Sequence, residues 1–207
     1  EGFVPPVFDL NDSDGRYRKE EAQISRLNQE IRALTTGRMA STQEDIQTVR
    51  MKMESEISML REQKASIHKD DSEYIRQSQF INAEIKRTKD RWKAIIAKKE
   101  DELSELRKEI EELRKRRSGM SDELQKWIFR QYIVHNAQGD SISIYDLFAG
   151  QGLMPPGGTG DCAAPKLLEH AYRNCLKPLA MGEFWYGRSP ETAVRTHGHF
   201  YPSCTSK

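Results

Sequence analysis

Long hydrophobic runs are missing from this 207-residue chain, and aromatic residues make up only 8% of it. No apolar stretch approaches the roughly 20 residues that span a bilayer, and no signal peptide is recognisable, so we expect no membrane partner. The net charge is +1, which excludes a chain-wide electrostatic attraction to nucleic acid or acidic lipid. Any contact with RNA would therefore need a local basic patch.

Cysteine is also scarce. Cys162, Cys175 and Cys204 are an odd number and contain no CxxC spacing. This usage is typical of a reduced compartment rather than of a disulfide framework, and we predict a cytoplasmic protein. Because the chain begins with Glu1 rather than Met, we also expect it to be part of a longer protein.

Proline is absent from residues 17–137, where charged residues surround an apolar stripe. The apolar residues recur at steps of three and four, the a/d pattern of a coiled coil with charged flanks. The clearest runs are Ile24, Leu27, Ile31, Leu34; Ile46, Val49, Met53, Ile57, Leu60; and Leu103, Leu106, Ile110, Leu113, Met120, Leu124. Gly37 weakens the first helix, and a slip in spacing precedes Leu103.

The stripe breaks once, at residues 68–72, where Asp71 or Ser72 can cap a new helix. Because the stripes on the two sides are similar in length, we predict an antiparallel helical hairpin with its tip near 68–72. The fold would place Ile46 near Ile95 and Ile31 near Ile110. A parallel dimer of one continuous helix is the alternative.

The flanking segments have a different composition. We predict that residues 1–16 form an extended arm and that residues 138–207 form a small α/β base domain on which this arm packs. We expect a short strand before residues 144–148, a helix starting at Cys162, and strands near 179–185 and 198–201. The predicted fold class is therefore α+β: a long antiparallel coiled-coil hairpin, residues 17–137, inserted into a small base.

Cys162 follows a glycine-rich turn and precedes the predicted helix, and three roles are open to it. It could be a buried structural cysteine. It could join His197, His199 and Cys204 as a ligand of structural zinc, which prefers thiolate and imidazole. It could also be a nucleophile, favoured as a thiolate by the helix N-terminus, with His197 or His199 as its base. Cys175 is predicted to pack in the interior.

The segments "CAAPKLL" and "YPSC" resemble a degraded form of the zinc-deaminase layout, in which a ligand-x-Glu turn opens a helix and a later Pro-Cys-x-x-Cys follows. Ala164 occupies the position of the catalytic acid. The resemblance implies a deaminase-like fold without deaminase activity.

One local basic run could meet phosphate, namely Arg114, Lys115, Arg116 and Arg117. Because Glu109, Glu111 and Glu112 are close in sequence, the alternative is the solvated face of a coiled coil. The glycines of "GQGLMPPGGTG" do not follow the order of a phosphate-binding loop.

Several segments share one order along the chain: "FVPPVFDL", the charged hairpin, "GTGDCAAPKLLEHAY", "LKPLAMGEFWYG" and "HGHFYPSC". Together they resemble the long amino-terminal extension of bacterial RluA-type RNA pseudouridine synthases. The resemblance covers nearly the whole chain. It implies that a catalytic domain, carrying an aspartate in a His-Arg-Leu-Asp type of motif, follows in the same parent chain. No such motif occurs here, since "SRLNQE" has Asn28 where the acid would be needed, and no catalytic residue or cofactor is assigned.

Three functions follow from these patterns. The first is a non-catalytic accessory region that positions ribosomal or transfer RNA, or scaffolds the catalytic domain. The second is a coiled-coil module for protein interaction or oligomerisation, including a homodimer. The third is a small zinc- or thiol-dependent enzyme built on Cys162.

Overall fold

The computed structural model describes residues 7–68, 73–191 and 194–202. Most of these residues are helical, and one two-stranded antiparallel sheet is present, which confirms the α+β class. The elements are α1 (Arg16–Ala33), α2 (Ala40–Ala65), α3 (Tyr74–Gln131), β1 (Ile133–His135), β2 (Ser141–Ser143), α4 (Ile144–Ala149) and α5 (Ala163–Arg173). Within the described residues, no helix is both long and apolar enough to cross a membrane.

Two compact units divide the chain. One, which we call the central unit, is Ala22–Gly119; the other, the flanking unit, combines Glu1–Glu21 with Met120–Lys207. Of the predicted hairpin tip, residues 69–72 lie outside the described residues, as do residues 1–6 of the predicted arm.

A π-helical segment, Leu34–Met39, joins α1 to α2 in the central unit. Thr35 Oγ1 donates to the carbonyl oxygen of Ile31 at 2.7 Å, and Thr36 Oγ1 donates to that of Arg32 at 2.9 Å. Hydroxyls that bond the carbonyl four residues earlier compete with the regular helical ladder. The sequence placed a weak point at Gly37, and the structure accommodates it as a change of helix type.

The buried residues of α3 in the central unit recur at steps of seven or eight. They are Ile81, Thr88, Ile96, Leu103 and Ile110, with Leu106 between the last two. The heptad spacing is that of a coiled-coil seam, and the single step of eight falls between Thr88 and Ile96. Two threonines, Thr42 and Thr88, are buried in this unit, although the apolar pattern does not include them.

Side chains of α2 contact side chains of α3 in antiparallel order. Lys99 Nζ lies 2.6 Å from Asp45 Oδ2, Arg50 Nη2 lies 2.7 Å from Glu100 Oε1, and Arg91 Nη2 lies 2.6 Å from Glu56 Oε1. Ile46 packs with Ile96 and Leu103. The predicted neighbour of Ile46, Ile95, is instead 38% exposed, so that prediction was wrong by one position.

The flanking unit has more varied local structure. β1 pairs with β2 across a turn in which Asn136 Oδ1 accepts from the backbone N–H of Gln138 and of Asp140. Ser143 then caps α4, its hydroxyl accepting from the N–H of Asp146 at 3.0 Å. Among the described residues of this unit, Phe129 is the most buried large side chain, at 2% exposure.

Two element boundaries in the flanking unit differ from the sequence prediction. The long helix ends at Gln131 and is followed by β1, although helix was expected to about residue 137. The two strands expected near 179–185 and 198–201 are reduced to one antiparallel bridge between Phe184 and Phe200. Three backbone bonds hold it: Trp185 N to His199 O, Gly198 N to Trp185 O and Tyr201 N to Glu183 O.

Candidate functional site

The glycine-rich turn fixes the entry to α5. Gly160 has φ +88°, and a Cβ there would lie 2.6 Å from Ile144 Cδ1 and 2.9 Å from Tyr132 Cδ1. Only glycine combines this left-handed conformation with so close an approach. Asp161, the next residue, accepts a hydrogen bond from the Tyr132 hydroxyl. Burial, and secondarily this carboxylate, raises the pKa of Tyr132, so the phenol stays a donor.

Cys162 is the N-cap residue of α5. Its backbone is extended (φ −67°, ψ 153°), its side chain makes no capping hydrogen bond, and it is half-buried. The thiol therefore lies at the N-terminus of an 11-residue helix. The sequence predicted both the helix start and this location.

A histidine and a carboxylate from distant parts of the chain meet at the cavity that Cys162 also lines. His135 ends β1, and Glu169 lies on α5. The backbone N–H of His135 donates to Glu169 Oε2 at 2.7 Å, and His135 Nδ1 lies 2.8 Å from Glu169 Oε1. A carboxylate that holds Nδ1 orients the imidazole and leaves Nε2 for a ligand or for proton transfer.

These groups line a cavity of about 420 Å³ in the flanking unit. Its polar side chains include Cys162, His135, Glu169 and Glu183, and its wall also includes Val134, Leu168, Met181 and the ring of Tyr172. A cavity of this size, mostly apolar and with a few convergent polar groups, has the character of a small-molecule site.

The other predicted partners of Cys162 are elsewhere or outside the described residues. His197 Nδ1 accepts from the N–H of Gly187 at 3.1 Å, and its ring contacts Tyr186. The ring of His199 contacts Tyr201. Neither histidine lines the cavity. Cys204 lies outside the described residues, so zinc bound by Cys162, His197, His199 and Cys204 stays a prediction.

Within residues 7–68, 73–191 and 194–202, no three His, Cys, Asp or Glu side chains are grouped closely enough to hold a metal ion. Cys175, which was predicted to pack in the interior, is exposed and has φ 55°. It follows the last helical turn, where an αL residue commonly ends a helix.

Sequence reasoning missed His135 and Glu169. Their partnership joins residues 34 positions apart, a strand end and a helix face, and no local spacing signals it. The nearest signal is compositional: Glu169 is the single acid of α5.

The second predicted site is the basic run on α3 in the central unit. Arg114, Lys115 and Arg116 are exposed, whereas Arg117 is half-buried. Arg114 Nη1 lies 3.9 Å from Glu111 Oε2. Among the described residues, no carboxylate pairs with Lys115, Arg116 or Arg117.

The chain was compared with protein-family models, with curated proteins and with solved structures, and none of the three comparisons finds a match.

Proposed function

We propose that this chain is the non-catalytic accessory region of an RNA pseudouridine synthase, and that it positions structured ribosomal or transfer RNA for a catalytic domain in the same parent chain. We place the protein in the cytoplasm, where such RNA is found. The proposal starts from the sequence resemblance and is supported by the exposed cations of α3. Its geometrical part is that α2 and α3 form a long antiparallel coiled-coil hairpin.

The hairpin is supported by the order of the contacts between the two helices. Asp45 pairs with Lys99 and Arg50 with the neighbouring Glu100, whereas Glu56, later on α2, pairs with Arg91, earlier on α3. Further along α2, Lys64 Nζ donates to Asn82 Oδ1 at 3.0 Å. The heptad spacing of the buried residues on α3 agrees with such a hairpin.

The observation that carries the RNA role is the basic run. Consecutive residues of an α-helix lie about 100° apart around its axis, so the four cations surround α3 instead of forming one stripe. Arg117 follows Ile110 by seven residues and is half-buried like other residues on that side. The remaining three cations point to solvent, and about two or three of them can meet phosphates at once.

The proposal is tested by measuring the binding of this chain to a ribosomal RNA fragment between about 50 and 200 mM salt. Replacing Arg114, Lys115, Arg116 and Arg117 by glutamine should weaken binding about tenfold or more at the lower salt. It should also reduce the slope of log K against log[salt] by about two, because each lost phosphate contact contributes about 0.7 to 0.9.

The matched control removes four exposed cations that are spread over the central unit and that pair with no carboxylate among the described residues. It replaces Lys52, Lys86, Lys93 and Lys98 by glutamine and should change affinity less than about threefold. If the two variants lost equal affinity for RNA, the binding would be a general charge attraction and not a property of the basic run. If the parent chain did not bind RNA at low salt, direct RNA contact would be contradicted.

Oligomerisation is the first alternative, and exposed apolar side chains of the central unit favour it. Met51, Met59, Ile75 and Phe80 are all more than half exposed. Light scattering over a range of protein concentrations gives the molar mass and tests for self-association. A mass that doubles with concentration supports it, and a constant monomer mass contradicts self-association.

A thiol enzyme built on Cys162 is the second alternative. The observation that favours it is the His135–Glu169 pair beside the same cavity, so His135 replaces His197 and His199 as the candidate base. Cys175 is an internal comparison, since it is exposed and is not among the described residues that line the cavity. Equal alkylation rates of the two thiols by iodoacetamide at neutral pH would contradict this alternative.

A further inference from the structure

The cavity beside α5 carries an inference that does not depend on the RNA proposal. We propose that it binds a small organic amine: a compact apolar body carrying a protonated amino group. The assignment follows from the kinds of side chain that line the cavity and from the hydrogen bonds already formed there.

The wall of the cavity requires an apolar body. Val134, Leu168, Tyr172 and Met181 contribute side chains from β1, from α5 and from the segment that follows α5. Burying a ligand's apolar surface against such a wall is favourable in proportion to the area removed from water. The volume of about 420 Å³ admits one ring or a short branched chain.

The polar groups require a hydrogen-bond donor. Glu169 is fixed by two bonds from His135, so its carboxylate is held in place before any ligand arrives. Glu183 is half-buried, its backbone oxygen accepts from Tyr201, and no described residue pairs with its carboxylate. The pocket therefore offers one unpaired carboxylate and one oriented carboxylate to the same ligand.

The charge balance excludes an anion. None of the described residues that line the cavity is a lysine or an arginine, so an anionic ligand would face two carboxylates with only His135 to offset them. A neutral ligand without a donor would leave Glu183 without a partner in a partly desolvated place. An ammonium group satisfies both requirements, since charge-assisted bonds to carboxylates are the stronger kind.

Three probes of similar size but different charge test the assignment: phenethylamine, phenethyl alcohol and phenylacetate. Binding to this chain is followed by amide chemical shifts in NMR titrations. Ligands of this size bind at roughly 0.1 to 5 mM when each heavy atom contributes the usual amount. The amine should bind in that range and about tenfold more tightly than the alcohol, and the carboxylate should not saturate.

Two variants locate the site. Glu183→Gln should weaken amine binding about five- to tenfold, and its control, Glu191→Gln, removes an exposed carboxylate outside the cavity and should bind as the parent does. Ala164→Leu fills the cavity and should abolish binding. The control Ala163→Leu makes the same change one residue earlier, at an exposed position that does not line the cavity.

Equal affinity for the amine and the alcohol would overturn the proposal, as would unsaturable binding of the amine. Unchanged binding by Glu183→Gln would overturn it too, even if Ala164→Leu blocked the cavity. Should Ala164→Leu fail to fold, the Glu183→Gln and Glu191→Gln pair still decides the result.

Discussion

The two units of this chain are stabilised in different ways. In the central unit, similar contacts repeat along the helices: a buried residue every seven or eight positions of α3, and ion pairs between exposed or half-buried side chains of α2 and α3. In the flanking unit, each contact occurs once and has a specific geometry, such as Gly160 against Tyr132 or His135 against Glu169. Repetition makes single changes tolerable, whereas specific contacts make them costly, and the cavity with its polar groups lies in the flanking unit.

The largest effect should come from Gly160→Ala in the flanking unit. The left-handed conformation costs a non-glycine residue about 1–2 kcal/mol, and overpacking against Tyr132 and Ile144 adds about 1–3 kcal/mol. The tyrosine ring cannot easily move aside, because its hydroxyl is bonded to Asp161. We expect unfolding in urea at a clearly lower midpoint, measured by circular dichroism.

Gly139→Ala is the matched control for that change. Gly139 has nearly the same backbone conformation, φ +91°, but nothing lies within 4 Å of an added Cβ. It should show only the conformational cost of about 1–2 kcal/mol. If the two variants lost equal stability, the close packing of Gly160 would not matter and the contrast between the units would be weakened.

An intermediate effect is expected from Ile96→Ala in the central unit. Ile96 is 9% exposed and packs with Ile46 and Leu103. Truncating a buried isoleucine costs about 2–5 kcal/mol, and we expect the lower end because solvent is close to the seam of two helices. The free energy of unfolding from urea titration measures the loss.

Ile95→Ala is the control, since the same side chain is removed one position earlier, where it is 38% exposed. Its loss should stay below about 1 kcal/mol, in line with surface substitutions. A larger loss from Ile95→Ala than from Ile96→Ala would favour the register expected from the sequence, with Ile95 opposite Ile46, and would contradict the observed one.

The smallest effect should come from Glu56→Gln, which removes one of the repeated ion pairs. The hydrogen bond from Trp92 Nε1, followed by that from Arg91, lowers the pKa of the Glu56 carboxyl. A lowered pKa stabilises the fold above the unfolded-state pKa of about 4.3, and this contribution disappears as pH falls through the folded-state value. The parent chain should therefore unfold at a slightly higher temperature than Glu56→Gln at pH 7.

The difference in unfolding temperature should shrink as the pH falls below about 4.3 and should vanish once the pH is below the folded-state pKa, where the carboxyl is protonated in both states. Exposed pairs usually contribute little, so a large difference at pH 7 would show that this pair is not one of many equivalent contacts. A difference that persisted in acid would assign the effect to something other than the charge.

The sequence predicted the helices better than the site, for a physical reason. Helical periodicity depends on residues that are close in the sequence, so the apolar spacing around Ile46 and Leu103 identifies their helices. Thr88 was missed because threonine carries no hydrophobic signal, even though its side chain is buried. The α+β class and the start of α5 directly after Cys162 also followed from local residues.

What the sequence could not predict depends on distant pairing. His135 and Glu169 meet only when β1 and α5 pack together, and no sequence pattern near either residue predicts the other. The strands expected near 179–185 and 198–201 fail for a related reason, since a strand needs a paired neighbour over its full length. Their described pairing is limited to the bridge at Phe184 and Phe200.

The π-helical segment Leu34–Met39 determines which residues of α1 and α2 face the same side of the helix. Leu27 and Ile46, both buried, are 19 positions apart in the sequence, and an uninterrupted α-helix would rotate them about 100° out of line. A π turn absorbs one extra residue, so the interval behaves as 18 residues, which is five whole turns at 3.6 residues each. The local change in helical winding thus offsets the one extra residue between these two positions and lets both side chains face the same side.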